Sequence, residues 1–360
     1  MKERMRIKAG LLAVTLCCVL CAYGSALRLD MKKDLELGRE GDMFYWVSSV
    51  CEDDEENIYL LDSRVYKVRK FSKDGKELLS FGSKGEGPGE FKSPSRLYYS
   101  PKTGIVVTGM MNKAEVFTKE GEPVRKIDLS AHFGMLFYIK YLGNDIFFAE
   151  LRKDDFSRHQ VLIDSKGNMI NNNLYAGEIW EVRTANGARY TESIDELTPQ
   201  AMFACYNGWA AAAKSDKYEI KLINSNGKEI AILKRDIPEE KVTKKEKKYF
   251  IQKLHKRCKN CPPDVKKKFE NKFPPNKVYF YKALPTSEYV YVFRVKKETT
   301  DENEPFPVDV FDMKGKYLGE VNIPELPFFI SDKYIYFRKT EPKEDDEVII
   351  VVRNSYRLVR

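Results

Sequence analysis

Short apolar runs alternate with polar turns along most of this chain. One pattern recurs five times: an apolar residue, three mostly polar residues, a glycine, and then apolar residues again. Glycine readily adopts the positive φ that a tight hairpin turn requires, and a bulkier residue resists it. Each copy therefore predicts a β-hairpin, and the turn glycines are Gly75, Gly121, Gly167, Gly227 and Gly315.

A second pattern, an apolar or aromatic run usually preceded by a turn residue, recurs six times. Short, bounded runs of this kind are typical of buried strands. A further apolar stretch precedes most of them, so each unit is predicted to hold about four strands. The six runs are Asn57–Asp62, Gly104–Thr108, Asp145–Ala149, Gly208–Ala212, Glu288–Phe293 and Lys333–Phe337.

The spacing of the turn glycines indicates the architecture. They are separated by 46, 46, 60 and 88 residues, so one repeat is about 46 residues long and two intervals contain insertions. A repeat of roughly 40–50 residues with four strands is typical of a β-propeller blade. Six such units fit beyond residue 26, and we therefore predict an all-β, six-bladed β-propeller with four-stranded antiparallel blades.

The sixth unit departs from the pattern. Strands are predicted at Tyr334–Phe337 and Val348–Arg353, but no glycine follows them. Because asparagine tolerates the left-handed conformation, we expect Asn354 to form the missing turn, followed by a short last strand from Tyr356. An open ring would leave a strand edge unpaired, so we also expect Leu27–Leu37 to close the ring beside this unit.

The N-terminal residues have the features of an export signal. A basic start is followed by an apolar run over Ala9–Ala22 and small residues at Gly24–Ala26. We therefore assign residues 1–26 to a signal segment and 27–360 to the propeller, and expect a periplasmic, secreted or cell-surface location. The alternatives are an uncleaved segment that contacts the membrane, and lipid attachment to a cysteine of this segment.

One blade carries a recognisable family motif. The stretch Val68–Phe91 resembles the NHL-repeat class of propellers, and in particular the exported bacterial six-bladed propellers of the NHL-repeat or TolB-like type, whose role is unassigned. The most specific part is a linker that would carry the chain between blades, with Phe91 as its anchor. The linker residues are Gly85, Gly87, Pro88, Gly89 and Phe91.

Charge is concentrated in one insertion. Residues 239–277 hold 14 Lys or Arg and five acids, whereas the whole chain has a net charge of +8, so the remainder is close to neutral. Phe250 and Leu254, and then Val265 and Phe269, are four residues apart, which is helical spacing. We predict two short helices, joined at Cys258–Pro263, inserted between blades 4 and 5 and packed on the propeller.

The insertion has two interpretations. Its basic residues are candidate contacts for an anionic partner such as a phospholipid head group or an acidic glycan; nucleic acid is the least expected because the chain is exported. The simpler alternative is a solvated helix surface. The candidate contacts are Lys244, Lys245, Lys247, Lys248, Lys256, Arg257, Lys266, Lys267 and Lys268.

Cys258 and Cys261 form a C-x-x-C pair. In an oxidising compartment a local disulfide that staples the helical turn is the simplest interpretation. Free thiols, a metal site that recruits His255, and a redox pair are the alternatives, although the βαβ context of a thioredoxin-like site is absent. Cys51 and Cys205 fall in blades 1 and 4, so we do not expect them to pair.

No catalytic, cofactor or metal site emerges from the sequence. The three histidines, His132, His159 and His255, are scattered, and the acidic clusters 52–56 and 341–347 are interpreted as solvated turns rather than calcium sites. We therefore expect a monomeric, non-catalytic module that binds an unknown protein, glycan or other anionic surface through its channel-mouth loops and its insertion. The alternative is a lactonase- or lyase-like enzyme that uses Ca²⁺ or another divalent cation at the channel, which rests on fold analogy.

Overall fold

The fold is a ring of six four-stranded antiparallel sheets, with two helices among the residues that the structure describes, which confirms the predicted six-bladed β-propeller. It is known from a computed structural model. The structure describes residues 27–39, 44–109, 112–129, 136–152, 158–172, 174–177, 180–183, 189–192, 196–301, 303–343 and 346–359. The predicted signal segment lies outside these residues.

The first strand of the chain, β1, belongs to the last blade, and blades 1 and 2 follow it. Between these two blades, β6 and β7 form a short parallel pair within the glycine-rich linker. The bounds are β1 (Arg28–Leu37); β2 (Val47–Glu52), β3 (Ile58–Asp62), β4 (Lys67–Phe71) and β5 (Glu77–Phe81) in blade 1; β6 (Ser83–Lys84) and β7 (Glu90–Phe91); and β8 (Pro94–Ser100), β9 (Gly104–Gly109), β10 (Lys113–Phe117) and β11 (Pro123–Asp128) in blade 2.

Blades 3 and 4 are separated by extra strands, which account for the first of the two long glycine intervals. The bounds are β12 (Leu136–Gly143), β13 (Ile146–Arg152), β14 (Arg158–Asp164) and β15 (Met169–Asn171) in blade 3; the added β16 (Ala176–Gly177), which pairs with β14, and the hairpin β17 (Trp180–Arg183) and β18 (Arg189–Glu192); and β19 (Ala201–Tyr206), β20 (Trp209–Lys214), β21 (Glu219–Asn224) and β22 (Glu229–Lys234) in blade 4.

Two helices between blades 4 and 5 account for the second long interval, as predicted. Neither is long and apolar enough to cross a membrane within the described part of the chain. The bounds are α1 (Lys244–Arg257) and α2 (Pro263–Glu270); β23 (Phe280–Pro285), β24 (Tyr289–Arg294), β25 (Phe306–Asp312) and β26 (Tyr317–Ile323) in blade 5; and β27 (Phe329–Ile330), β28 (Tyr334–Lys343) and β29 (Asp346–Val359) in blade 6.

Blade 6 takes its outermost strand from the N-terminus. β1 pairs antiparallel with β29 from Arg28 opposite Val359 to Leu37 opposite Val351, which confirms that Leu27–Leu37 closes the ring. The expected turn at Asn354 was wrong, because β29 continues through it and Asn354 pairs with Lys33. No hairpin is needed at this position, since the fourth strand comes from the other end of the chain.

The core lies between neighbouring blades. Tyr59 and Val68 of blade 1 pack with Val107 and Phe117 of blade 2, and all four side chains are buried. A single four-stranded sheet has no second layer to cover its faces, so these apolar residues leave water only when adjacent blades stack. The ring is therefore one cooperative core that is divided among its blade interfaces.

The hairpin turns have the backbone geometry that glycine favours. Gly75, Gly121, Gly167, Gly227 and Gly315 all have φ between 75° and 89°. At Gly121 an added Cβ would also lie 2.7 Å from the ring of Phe81, so blade packing as well as the turn excludes a side chain there.

The linker after blade 1 is held by local bonds. The Gly87 amide donates to Glu90 Oε2 at 2.8 Å, and the Gly85 amide donates to the Phe91 carbonyl at 3.0 Å. Phe91 is 4% exposed, and its ring centroid lies 5.7 Å from that of Phe117 in blade 2. Phe91 thus anchors the linker in the interface between the two blades.

Candidate functional site

The innermost strands of all six blades line one central cavity of about 620 Å³, which we call the channel. Each blade has four antiparallel strands, so its last strand returns the chain to the side of the ring on which the blade began. Every innermost strand therefore runs in the same direction. We call the side where these strands begin the front face, and the side where they end the back face.

Three basic residues on inner strands line the channel: Arg96 on β8, Lys140 on β12 and Lys282 on β23. Arg96 Nη1 donates to the carbonyl of Ser48 at 3.1 Å. Lys140 Nζ donates to the carbonyl of Phe203 at 2.6 Å. Lys282 Nζ lies 3.4 Å from the carbonyl of Pro327.

The charge on Lys140 is destabilised by its surroundings. Loss of hydration lowers the pKa of Lys140 to about 8, and repulsion by Arg96 and Lys282 acts in the same direction. A lysine with an ordinary pKa stays charged well above pH 9. Three cationic side chains thus line the same channel, and two of them, Arg96 and Lys282, disfavour the charge on Lys140.

Acidic residues cluster at the end of the channel that opens on the back face, where the inner strands end. Burial raises the pKa of Glu52 despite a hydrogen bond from the Tyr336 hydroxyl. Asp332 accepts from the Ser287 amide at 2.7 Å, and Glu56 binds Lys333. The channel is therefore electrically polarised, with carboxylates towards the back face and basic side chains along its wall.

The cluster 52–56 is a turn, as predicted, but it is not uniformly solvated. The carboxylate of Asp53 is fully buried and accepts hydrogen bonds from the amides of Glu55 and Asn57, each at 2.9 Å. It also accepts from the Tyr59 hydroxyl at 3.0 Å. These bonds hold the turn in one conformation at the channel mouth. In the second cluster, residues 344 and 345 lie outside the described part of the chain.

Aromatic and apolar side chains form much of the remaining wall. Phe203 stacks on Phe148 with a centroid distance of 4.0 Å, and Tyr206 lies 5.8 Å from Phe329. The small residue Ala204 leaves space beside them. A mostly apolar cavity with a few fixed charged groups is the usual form of a small-molecule site.

Cys51 and Cys205 both line the channel and are not bonded to each other. Burial raises the pKa of Cys51, and it raises that of Cys205 to about 12. Since the thiolate is the reactive form, neither residue has the properties of a nucleophile near neutral pH.

The insertion lies at the front face, because it joins the last strand of blade 4 to the first strand of blade 5. Phe250, Leu254, Val265 and Phe269 form a small core that also contains Leu197. Cys258 and Cys261 are joined as a disulfide at the end of α1. The helices thus carry their own core as well as contacts to the ring.

A buried ion pair anchors the insertion to blade 5. Lys277 Nζ donates to Glu246 Oε1 at 2.9 Å, and both side chains are fully buried. The same carboxylate accepts from the amide of Thr299 at 3.0 Å, and Glu246 caps the start of α1 through Thr243. Lys277 is one of the 14 basic residues counted in the insertion, but its side chain is buried in this ion pair and is therefore not available to an external partner.

Most of the predicted basic contacts are on the surface of the helices. Lys245 is exposed and paired with Glu298 of the ring, and Lys268 lies 3.8 Å from Asp264. Lys266 is half-buried. The other exposed members are Lys244, Lys247, Lys248, Lys256, Arg257 and Lys267.

Neither of the two histidines that the structure describes lines the channel. His255 bonds Glu270 at 2.7 Å within the insertion, and His159 lies on β14. His132 is outside the described residues. Among the residues that the structure describes, no three His, Cys, Asp or Glu side chains are grouped to hold a metal.

The comparisons with known proteins concern the fold. No protein-family model matches the chain, and no curated protein is similar to it in sequence. An exported protein of Bacteroides fragilis, described as putative, superposes with a TM-score of 0.53 at 14% identity, covering 93% of this chain and 96% of that one. This likeness is one of fold alone.

Two further structures align over most of the chain. A member of the DUF4221 family from Bacteroides vulgatus has a TM-score of 0.48 at 11% identity, and covers 92% of this chain and 99% of its own. Virginiamycin B lyase from Staphylococcus aureus has a TM-score of 0.41 at 10% identity, covering 91% and 99% respectively.

The sequence reasoning missed the basic residues of the channel. Lys140 follows Phe137, Tyr138 and Ile139 and precedes Tyr141 and Leu142, so it is a lone charge inside an apolar strand. A buried position for such a lysine is costly unless something compensates the charge. That interruption was the available signal, and the prominent charge of the insertion obscured it.

Proposed function

We propose that this chain is an exported, non-catalytic binding module of the NHL-repeat or TolB-like propeller type, and that its channel is the ligand site. The observation that carries the proposal is the cavity of about 620 Å³, bounded by all six inner strands and lined by fixed charged and aromatic groups. Pockets of roughly 300–1,000 Å³ with such walls usually receive small molecules.

Export is part of the proposal. The basic, apolar and small-residue segments within residues 1–26 support it. The description of the Bacteroides fragilis neighbour as an exported protein supports it as well. We expect the mature propeller to work outside the cytoplasm.

We further propose that the insertion brings this module to an acidic surface. Its exposed basic residues lie on helices that the chain order places on the front face. Acidic glycans and anionic head groups are the partners that such a patch attracts. The channel and the basic patch would then be used together, since the channel has one opening on the front face and the patch lies on the same face.

A thermal-shift screen tests the channel as a ligand site. The purified mature chain is screened against small organic acids, amines and neutral sugars, in parallel with Ala204→Trp and Ala201→Phe, which fill the channel. We expect at least one compound to raise the unfolding midpoint of the wild type and to have no effect on a filled variant that retains the wild-type circular dichroism spectrum.

Two outcomes contradict the proposal. If no compound stabilises the wild type, or if the filled variants respond equally, the channel is not the ligand site. Elemental analysis by mass spectrometry provides the second test: a stoichiometric divalent cation that the filled variants lose favours the lactonase- or lyase-like alternative over a non-catalytic module.

A further inference from the structure

The inner wall of the channel carries charge of one sign at three points of the ring. Arg96, Lys140 and Lys282 come from blades 2, 3 and 5, so they surround the cavity and do not lie on one strand. Arg96 and Lys140 donate to the backbone carbonyls of Ser48 and Phe203, and Lys282 Nζ lies 3.4 Å from the carbonyl of Pro327. A carbonyl oxygen orients a cation but does not neutralise it.

Arg96 and Lys140 have no ion-pair partner among the described residues. The carboxylate of Glu150 on β13 favours the charged form of Lys140, but its effect is smaller than the opposing effect of Arg96. Arg96 is exposed at the channel wall, whereas Lys140 is half-buried next to the carbonyl of Phe203. A partly buried cation without a counter-ion is unfavourable, and a ligand that supplies the opposite charge would stabilise it. This observation is independent of any shift in pKa, because it rests on the placement of the side chains.

We propose that Arg96, Lys140 and Lys282 form the subsite for the anionic group of a small organic ligand, of the class of phosphate monoesters and related multiply charged oxyanions. This inference rests on the channel being the ligand site. Three basic groups match an anion with more than one negative charge better than a single carboxylate, and the planar guanidinium of Arg96 suits the paired oxygens of such a group.

The rest of the cavity fits the body of such a ligand. Phe203, Tyr98 and Phe329 provide apolar and aromatic surface next to the basic groups. The carboxylates near the back face, among them Glu52 and Asp332, would repel an anion from that end. The ligand is therefore expected to lie with its anionic group against Arg96 and Lys140 and its apolar body along the aromatic wall.

Phenyl phosphate is the probe that tests the subsite, because it combines a dianionic group with an aromatic body. Isothermal titration calorimetry is run on the mature chain with phenyl phosphate, inorganic phosphate and benzyl alcohol at constant ionic strength. We expect phenyl phosphate to bind, inorganic phosphate to bind more weakly, and benzyl alcohol to show no measurable binding.

Substitutions test two of the three basic residues, Lys140 and Arg96. Lys140→Met and Arg96→Gln keep the approximate size of the side chains and remove their charge. We expect each to weaken phenyl phosphate binding by about tenfold or more, as for the loss of a charge-assisted hydrogen bond. Lys73→Met, on an exposed hairpin of the back face, is the matched control and should bind as the wild type does.

The pH dependence of binding adds a readout that a structural role would not change. A bound dianion raises the pKa of Lys140 from about 8, so at pH 8, where Lys140 is about half protonated, the protein takes up a fraction of a proton on binding, and affinity falls as the pH rises further. Proton uptake is measured by titration in two buffers of different ionisation enthalpy, and it should disappear in Lys140→Met. The other titratable or charged groups around Lys140 are Arg96, Tyr98, Glu150, Cys205 and Lys282.

The outcomes separate this inference from the proposed function. If phenyl phosphate does not bind the wild type, or binds Lys140→Met and Arg96→Gln as tightly, the anion subsite is wrong. If a neutral or cationic compound is then found to bind the channel and Ala204→Trp abolishes that binding, the channel remains a ligand site and only its anion preference is overturned. If no compound binds at all, both are overturned.

Discussion

Arg353 on β29 donates a hydrogen bond from Nε to Oδ2 of Asp34 on β1, at 2.7 Å. The same guanidinium donates from Nη2 to the carbonyl of Lys73 at 2.6 Å, and it lies 4.2 Å above the ring of Tyr334. One side chain thus joins both ends of the chain to the first blade. It is also buried, so its hydrogen-bonding groups depend on these partners.

Removing this side chain tests how much it stabilises the closure. We expect Arg353→Met to lower the free energy of unfolding by about 1–3 kcal/mol, because Asp34 and the Lys73 carbonyl lose a charged donor. Arg28→Met, which breaks the exposed Arg28–Asp30 pair on the same strand, is the control and should cost less than about 1 kcal/mol. Equal effects in chemical denaturation would show that Arg353 does not stabilise the closure.

The closing strand as a whole should be indispensable. Removing residues 27–37 exposes the edge of β29 and uncovers the core that contains Leu37, so we expect a chain without them to lose its cooperative unfolding transition. The point variant Leu37→Ala should remain folded but cost about 2–4 kcal/mol. Thermal unfolding followed by circular dichroism measures both. A truncated chain that melts like the intact one would disprove closure by β1.

A buried carboxylate joins blades 4 and 5. Asp309 accepts from the Tyr218 hydroxyl and pairs with Arg235, and Arg294 Nε lies 3.5 Å away. We expect Asp309→Asn to cost about 3–5 kcal/mol, because the arginines lose their counter-charge in a buried site. Tyr218→Phe removes one hydrogen bond to the same carboxylate and should cost about 1.5–3 kcal/mol. The denaturation midpoints of the two variants show which substitution is more destabilising. If Tyr218→Phe were the more destabilising of the two, this role of Asp309 would be contradicted.

The anchor of the insertion should fail in acid. Burial raises the pKa of Glu246, but hydrogen bonds from Lys277, Thr299 and Thr243 outweigh it and lower the pKa to about 2. A carboxyl with a depressed pKa stabilises the fold above its unfolded value near 4.5, and this contribution is lost as the pH falls towards 2. The contribution of the depressed pKa to the free energy of unfolding is on the order of 2–3 kcal/mol.

The measurement is the unfolding midpoint of the wild type and of Glu246→Gln between pH 7 and pH 2. The two proteins should differ most above about pH 5 and approach each other as the pH falls towards 2, where about half of the wild-type Glu246 carboxyl is protonated. Glu298→Gln, at an exposed pair with Lys245, serves as the control and should differ little from the wild type at any pH. A constant gap between wild type and Glu246→Gln would contradict the depressed pKa.

Charge reversal tests the insertion as an anion-binding surface. We expect the triple variant K244E/K247E/K248E to elute from heparin-agarose at a clearly lower salt concentration than the wild type, since surface attraction is screened by salt. The triple variant K73E/K166E/K314E makes the same change in net charge at hairpins of the back face. If it elutes as early, the effect is one of net charge and the insertion is a solvated helix surface.

The repeat of the propeller was predictable because its signals are local. A glycine at each hairpin and an apolar run before it follow from the backbone geometry of one blade, so Gly75 and Gly121 report their turns without knowledge of the rest. The helices were also predictable, because Phe250 and Leu254 repeat at helical spacing. The ring closure followed from counting strands in the sixth unit.

Long-range contacts explain what the sequence did not predict. Asn354 was expected to turn because asparagine is common in turns, yet its partner Lys33 lies more than 300 residues away in the chain and keeps it in a strand. Asp53 was expected to be solvated like its neighbours, but Tyr59 and the following amides bury it. Neither contact has a signature in the surrounding residues.

The channel could not be predicted from a single blade. Arg96, Lys140 and Lys282 are widely separated in sequence and meet only because three inner strands line the same cavity. Arg96 and Lys282 taken alone are ordinary basic residues of strands, and the lone charge of Lys140 does not reveal which groups it meets across the ring. The candidate site is therefore a property of the closed ring, and the sequence indicated only the architecture that creates it.

The pairing of β1 with β29 also constrains the order of events in the life of the molecule. Leu35 precedes its partner Arg353 by more than 300 residues, so a growing chain cannot complete the sixth blade before β29 has been made. Contacts between such distant residues form slowly. If the chain is exported as we propose, the late pairing of β1 would keep the ring open during translocation, so that folding is completed after the membrane has been crossed.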